Sequence, residues 1–360
     1  MNPHKPALLA GALTLGLALS SPLALAAWEA LPEQPPIPTD NPQNDAKIQL
    51  GKALYFDPRF SADGNISCNS CHNLMAGGDD NRPSSIGFHD ARGGRSAPTV
   101  WNAAFHSVQF WDGRAATLED QAKGPVVNPV EMGMPNLDAA MARLKQIDGY
   151  TPMFEAAFPD DPNPVTADNA AKAVAAFERT LITPNSAYDR FLKGDKAALT
   201  EQQLRGWVTF AELGCTACHS GPNFNGPALP MGTGFYQKFP TIPGSVYEAK
   251  YGLTKDTGRF EATGNEVDKH MWRVPTLRNV ALTAPYFHNG AVPTLDEAVR
   301  VMAKTQLNKD LSDEQAAELV AFLNALTGEF PQMALPRLPG TPGQSIIPAG
   351  DAELAASPPK

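Results

Sequence analysis

Cys68-Asn69-Ser70-Cys71-His72 and Cys215-Thr216-Ala217-Cys218-His219 repeat one pattern, Cys-x-x-Cys-His, and together use all four cysteines of the 360-residue chain. In such a pentapeptide the two thiols can form thioether bonds to the vinyl groups of a haem, and the adjacent histidine can ligate the iron. A structural zinc site needs four ligands, and each cluster offers three. A dithiol redox motif has no need of the trailing histidine, which follows both times. The repeat predicts two covalently bound haem c groups, attached through Cys68, Cys71, Cys215 and Cys218, with His72 and His219 as the first axial ligands.

Working outward, each motif follows a helix-forming stretch. Residues 44–55 place Ile48, Leu50, Ala53 and Leu54 at helical spacing just before the first motif. Thr200 opens a helix through Leu204, Val208 and Leu213 just before the second, with Gly214 as its stop. Further helices are expected at 118–123, 137–146, 166–182, 295–304 and 312–327. The stripe of Ala316, Leu319, Phe322, Leu323 and Leu326 is expected to pack across the helix that opens the second half. No strand-rich stretch appears. The fold class is mainly α: two cytochrome c-like haem domains with long loops, at 27–195 and 196–332, followed by a loosely held Pro-rich tail at 333–360.

The N-terminus reads as a secretory signal, residues 1–26. Lys5 precedes an apolar run from Ala7 to Leu19, and Ala24-Leu25-Ala26 is a small-x-small cleavage site. The run is short for a membrane span, so a cleaved, periplasmic protein is expected. Export suits covalent haem, which is attached outside the bacterial cytoplasm. The formal charge of −9 disfavours nucleic acid or an anionic membrane as partner.

Function depends on the positions opposite the two histidines. A thioether opposite histidine stabilises the ferrous state and makes an electron store, whereas an open position can bind peroxide. Met302 and Met271 are both candidates at the second haem. Near the first, His89 and His106 are the histidines outside the two motifs. Glu131 lies in Asn128-Pro-Val-Glu-Met-Gly-Met-Pro135, where few other charges occur. It reads either as an exposed loop residue or as a carboxyl whose ionisation is disfavoured, which suits proton shuttling. Trp111 reads as a core aromatic or as an electron carrier between two haems.

Several stretches together resemble the bacterial di-haem cytochrome c peroxidase family: Leu50-Gly-Lys-Ala-Leu-Tyr-Phe-Asp-Pro-Arg59, Ile66 to His72, Ala97-Pro-Thr-Val-Trp-Asn102, Gln109-Phe-Trp-Asp-Gly-Arg114, Gln121-Ala-Lys-Gly-Pro125, Val274-Pro-Thr-Leu-Arg-Asn279 and Thr283-Ala-Pro-Tyr-Phe-His288. The resemblance implies that the first haem is peroxidatic, with Glu131 and Gln121 catalytic and Pro125 and Phe110 beside them. It implies that the second is the electron-transfer haem, that Met302 rather than Met271 is its axial ligand, and that Trp111 lies between the two. It also implies one calcium ion, with Thr283 and Pro285 matching its carbonyl donors and Ser96 standing where the family has asparagine. The partners implied are hydrogen peroxide, a small periplasmic cytochrome c or cupredoxin as donor, and a second copy in a homodimer. The family's displaceable distal histidine is matched by Phe88, and His89 comes one residue later. Ligation by His89 would close the first iron, and its absence would leave that iron open. The rivals are a di-haem enzyme that oxidises tryptophans of a partner protein, whose relatives carry tyrosine where Met302 stands, and a di-haem electron carrier without a substrate.

Overall fold

The computed structural model describes residues 1, 28–341, 343 and 345–347. The signal at 1–26 and the end of the tail lie outside the described residues. Eight helices of eight residues or more carry the described fold: α1 (Asp45–Phe56), α2 (Leu118–Val127), α3 (Leu137–Leu144), α4 (Tyr150–Ala157), α5 (Ala167–Glu178), α6 (Glu201–Leu213), α7 (Leu295–Leu307) and α8 (Asp313–Asn324). The only sheet among the described residues pairs β1 (Tyr236–Lys238) with β2 (Met271–Arg273), antiparallel, with Tyr236 opposite Arg273.

Local chemistry sets the helix starts. Asn44 caps α1 by accepting from Lys47 N at 2.7 Å, and Thr166 caps α5 by accepting from Asn169 N at 3.2 Å. Thr200 and Ser312 open α6 and α8 with reciprocal capping boxes. Two elements differ from expectation. Helix α2 runs through Pro125 to Val127 rather than stopping at Lys123. Helix α4 adds eight residues of helix beyond the expected set, with Pro152 in its first turn, where a missing N–H costs no helical bond.

Both halves rest on the same helix crossing. In the first, α1 packs on α5 at Gly51, where a Cβ would lie 1.8 Å from Ala173 O. In the second, α6 packs on α8 at Gly206, where a Cβ would lie 1.9 Å from Glu318 O. Glycine is required at both points because the backbones touch. Leu50, Leu54, Tyr55, Tyr150, Phe154 and Phe177 fill the first core, and Tyr188, Phe210, Phe224, Leu319, Phe322 and Leu326 fill the second.

The two chain ends cross over. Trp28 stacks edge-on against Trp207, with ring centroids 5.3 Å apart, and Leu31 N donates to Asp189 Oδ1 at 3.0 Å, so the N-terminal arm closes the second core. The arm then reaches the first half, where buried Asn41 donates to Glu119 Oε1 and Lys172 O. At the other end the tail departs from the loose segment expected. Phe330 meets Trp101 edge-on at 4.9 Å, Arg59 Nη2 donates to Pro339 O at 2.9 Å, and Met333, Leu338 and Ile346 pack on the first core. Apolar side chains spaced between the prolines bury enough surface to hold it.

Candidate active site

Ser67 opens the short helix Cys68–Cys71 through a capping box with Ser70. His72 follows as the C-cap, and its Nδ1–H donates to Pro98 O at 2.9 Å. That bond fixes the ring and leaves Nε2 as the ligating nitrogen. Burial lowers the His72 pKa and favours the neutral imidazole that binds iron. In the second motif Gly214 turns the chain at φ +92° and His219 Nδ1–H donates to Phe224 O at 3.0 Å. Burial again lowers the imidazole pKa. None of the four cysteines is in a disulfide. Burial pushes Cys68 up to about 12 and Cys215 to about 11, and raises Cys71 and Cys218 as well. That burial disfavours the thiolates a zinc site needs.

A cavity of about 740 Å³ opens beside His72, within the range of about 300–1,000 Å³ usual for cofactor sites. Cys68, Cys71, Phe110, Trp111, Gln121, Pro125 and Glu131 line it. Helix α2 supplies Gln121 and Pro125. The turn after it supplies Glu131, whose Oε1 accepts from Asn128 Nδ2 at 2.8 Å. Burial raises the Glu131 pKa, against the opposing pull of Arg114 and Asn128. The turn is held from behind: Phe88 N donates to Glu131 O, and a Cβ on Gly87 would lie 2.3 Å from Val130 O. His89 is exposed, has φ +53° and stacks on Phe88 with centroids 3.8 Å apart, away from the residues that line the cavity.

The second cavity, about 190 Å³, is lined by Cys215, His219, Phe287, Leu295, Val299 and Met302. Met302 faces it from α7, whereas Met271 lies on β2 outside the lining. The donor set at each cavity fits a haem c: Cys68, Cys71 and a freed imidazole nitrogen at the first, and Cys215, the His219 imidazole and the Met302 thioether at the second, with Cys218 next to His219 in the chain. The two cavities share a wall made by residues 96–99, His106, Trp111 and Arg273. Trp111 is fixed in it by its indole N–H, which donates to Ser96 O at 2.8 Å.

The comparisons agree with this geometry. A family profile described as di-haem cytochrome c peroxidase matches residues 45–197, and one described as RoxA-like, cytochrome c-like matches residues 272–306. The cytochrome c551 peroxidase of Nitrosomonas europaea is 42% identical, over 91% of this chain and 92% of its own length. The methylamine utilization protein MauG of Methylorubrum extorquens is 33% identical over 88% of each. Among solved structures, a MauG-like protein associated with microbial copper homeostasis superposes with a TM-score of 0.73 at 30% identity, covering 84% of this chain and 96% of its own.

The chain belongs to the di-haem cytochrome c peroxidase family. It is a peroxidase with two haem c groups, and its mainly helical fold is that of a cytochrome c-like di-haem protein.

The residues matched to the calcium site of this family lie where the halves meet. Ser96 N donates to His288 O at 2.8 Å, and Ser96 and Thr283 line the second cavity together. Asn81 Nδ2 donates to Leu282 O and to Ala284 O, just before Pro285. Asp79 is buried, and its Oδ1 has no hydrogen-bond partner among the described residues. That oxygen and the Thr283 methyl group flank one point above Gly77. Burial raises the Asp79 pKa to about 7. An orphaned carboxylate oxygen among backbone carbonyls is chemistry that a hard cation satisfies.

Three further residues line the first cavity without a sequence signal strong enough to single out their role. Glu178 sits buried at the end of α5, and burial pushes its pKa up to about 8. It reads as the last turn of an amphipathic helix. His106 reads only as a histidine outside the two motifs and Arg273 carries no signal of its own, yet both are buried in the shared wall.

Proposed function

We propose that this peroxidase reduces hydrogen peroxide to water at the His72 site, with electrons that enter at the His219 site from a small periplasmic c-type cytochrome or cupredoxin. The contrast between the two cavities carries the reading: an acid- and amide-lined space beside His72, and a narrow apolar one closed by Met302 beside His219, with Trp111 in the wall common to both.

When bound, the first haem supplies the iron at which the O–O bond breaks, and the second supplies a stored electron. The protein side chains do the rest. Glu131 takes a proton from the near oxygen of the peroxide and delivers it to the far, leaving oxygen. Its raised pKa brings the carboxyl closer to the pH at which it must both accept and donate. The Gln121 amide orients the peroxide across the cavity. Trp111, held rigidly by Ser96 O, carries the electron from the second site to the first. Two electrons and two protons per peroxide give two waters. Met302 would offer its thioether to the haem held by His219, which would favour the reduced state and raise the potential. Asp79, Ser96, Thr283 and the carbonyls near Pro285 hold one calcium ion across the halves, and the working unit is a homodimer. Because His89 is not among the residues that line the first cavity, a haem held by His72 would be left accessible to peroxide in the oxidised protein.

Electronic and EPR spectra of the pure protein, oxidised and then half-reduced, each followed by hydrogen peroxide, test this reading. A high-spin ferric signal that vanishes at once on adding peroxide to the oxidised form is expected. Reactivity that begins only after half-reduction would restore His89 as a displaceable ligand. Indifference to peroxide in both states would overturn the assignment of the His72 site.

A further inference from the structure

Arg273 ends β2 with 5% exposure, in the wall that faces both cavities. Every bond of its guanidinium goes to a neutral group. Nε donates to Phe110 O at 3.0 Å, and Nη1 donates to Val274 O at 3.4 Å and lies 2.6 and 3.0 Å from the two ring nitrogens of His106. Nη2 has no hydrogen-bond partner among the described residues. His106 cannot be the counter-charge. It is buried, it also takes the Asn225 Nδ2 donor at 2.7 Å, and burial and Arg273 hold its pKa well below the usual value. The nearby carboxylate of Asp112 is already held by Arg95 at 2.6 Å and Arg114 at 2.9 Å. Burial lowers the Arg273 pKa only to about 10, so the group stays charged at neutral pH.

A buried cation without an anion is costly, and such groups are found paired. The cavities on either side each take a haem, and each haem brings two propionate carboxylates. We propose that Arg273 is the shared propionate anchor of the two haems, the two N–H donors of its remaining Nη2 each donating to a carboxylate of one of them. Guanidinium suits this because it presents parallel N–H donors in a fixed plane, where an ammonium offers a single point charge. The same residue holds the electron path, because Arg273 N donates to Trp111 O at 2.9 Å while Nε holds Phe110 O. One side chain thereby fixes both porphyrin edges and the indole between them. This inference rests on the presence of two haems.

The test uses the haem-loaded protein with R273Q and R273K. Two readouts apply: the midpoint potential of each haem by spectroelectrochemical titration, and the propionate-bending bands in resonance Raman spectra. Loss of a cation beside both irons stabilises both ferric states, so R273Q lowers both potentials and shifts the propionate bands of both haems. R273K keeps both potentials closer to those of the wild type and still shifts the bands of at least one haem, because one ammonium cannot serve two carboxylates. Unchanged potentials in R273Q, or a fall in only one, overturn the shared anchor. If R273Q does not load haem, R273K decides alone, and unchanged bands at both haems overturn the proposal. Haem content of the wild-type protein, by pyridine haemochrome and intact mass, is read separately. Fewer than two haems there would defeat the two-haem premise rather than the role of Arg273.

Discussion

The two haem domains share a scaffold and differ in what lies opposite the histidine. Each crosses its first and last helices through a glycine, Gly51 on Ala173 and Gly206 on Glu318. Each fixes its histidine by an Nδ1 bond to a carbonyl, Pro98 in one and Phe224 in the other. The divergence comes from the segment that covers the far side. In the first domain α2 and its following turn bring Gln121, Pro125 and Glu131 over a wide cavity. In the second α7 brings Met302 over a narrow apolar one. The lesson is that the scaffold sets the near side of the cofactor, and the chemistry is chosen by one element laid across the other.

The strongest way to break this contrast is to remove the acid that defines the first site. E131Q is expected to lower peroxide turnover by about 10²–10⁴-fold, with both haems still bound, as measured by steady-state kinetics. In the wild type, activity should fall on the acid side with a midpoint above the ordinary carboxylate range, because burial disfavours the ionised form. Near-normal turnover in E131Q would remove Glu131 from the mechanism.

Making the second site resemble an open one is the next largest change. M302A is expected to turn the second iron from low-spin to high-spin in EPR and to lower its potential, since the thioether that favours the reduced state is gone. Turnover should fall because the stored electron is less available. An unchanged low-spin signal would place the ligand elsewhere.

The shared scaffold is tested by G51A and G206A. Each Cβ would lie under 2 Å from a backbone oxygen, so each substitution should force the helices apart and cost about 1–3 kcal/mol or more, read as a fall in Tm. Loss in only one variant would break the parallel between the domains.

The smallest expected effect concerns Glu178, an acid that the second cavity does not have. Its folded pKa, about 8, lies above the ordinary carboxylate value. Its contribution to stability is therefore present below that ordinary value and is lost as pH rises through about 8. E178Q should flatten the fall in Tm between pH 5 and pH 8, and an unchanged slope would place the pH dependence in other groups.

Much of the fold was legible because its signals are local. Caps at Asn44, Thr166, Thr200 and Ser312 and the apolar stripes they introduce mark the long helices, since capping and amphipathic burial act within a few residues. The described part of the Pro-rich tail was less legible for the opposite reason. It is held by Arg59 and the first core, which lie far away in the chain and leave no local trace. The same holds for Glu178, His106 and Arg273, whose burial beside a cavity is a property of packing.

The sequence alone determined the helical class, and it carries the expectation of two haem attachment points with their histidines, because thioether attachment demands fixed residue types at fixed spacing. Only the tertiary structure shows that His89 is absent from the lining of the first cavity, and that Arg273 and His106 join Trp111 in the wall common to both; for Met302 it adds a place in the lining of the second cavity, which Met271 lacks. Those outcomes depend on which side chains several loops bring to one place, and a close approach between distant segments is fixed by packing of the whole chain rather than by any stretch of it.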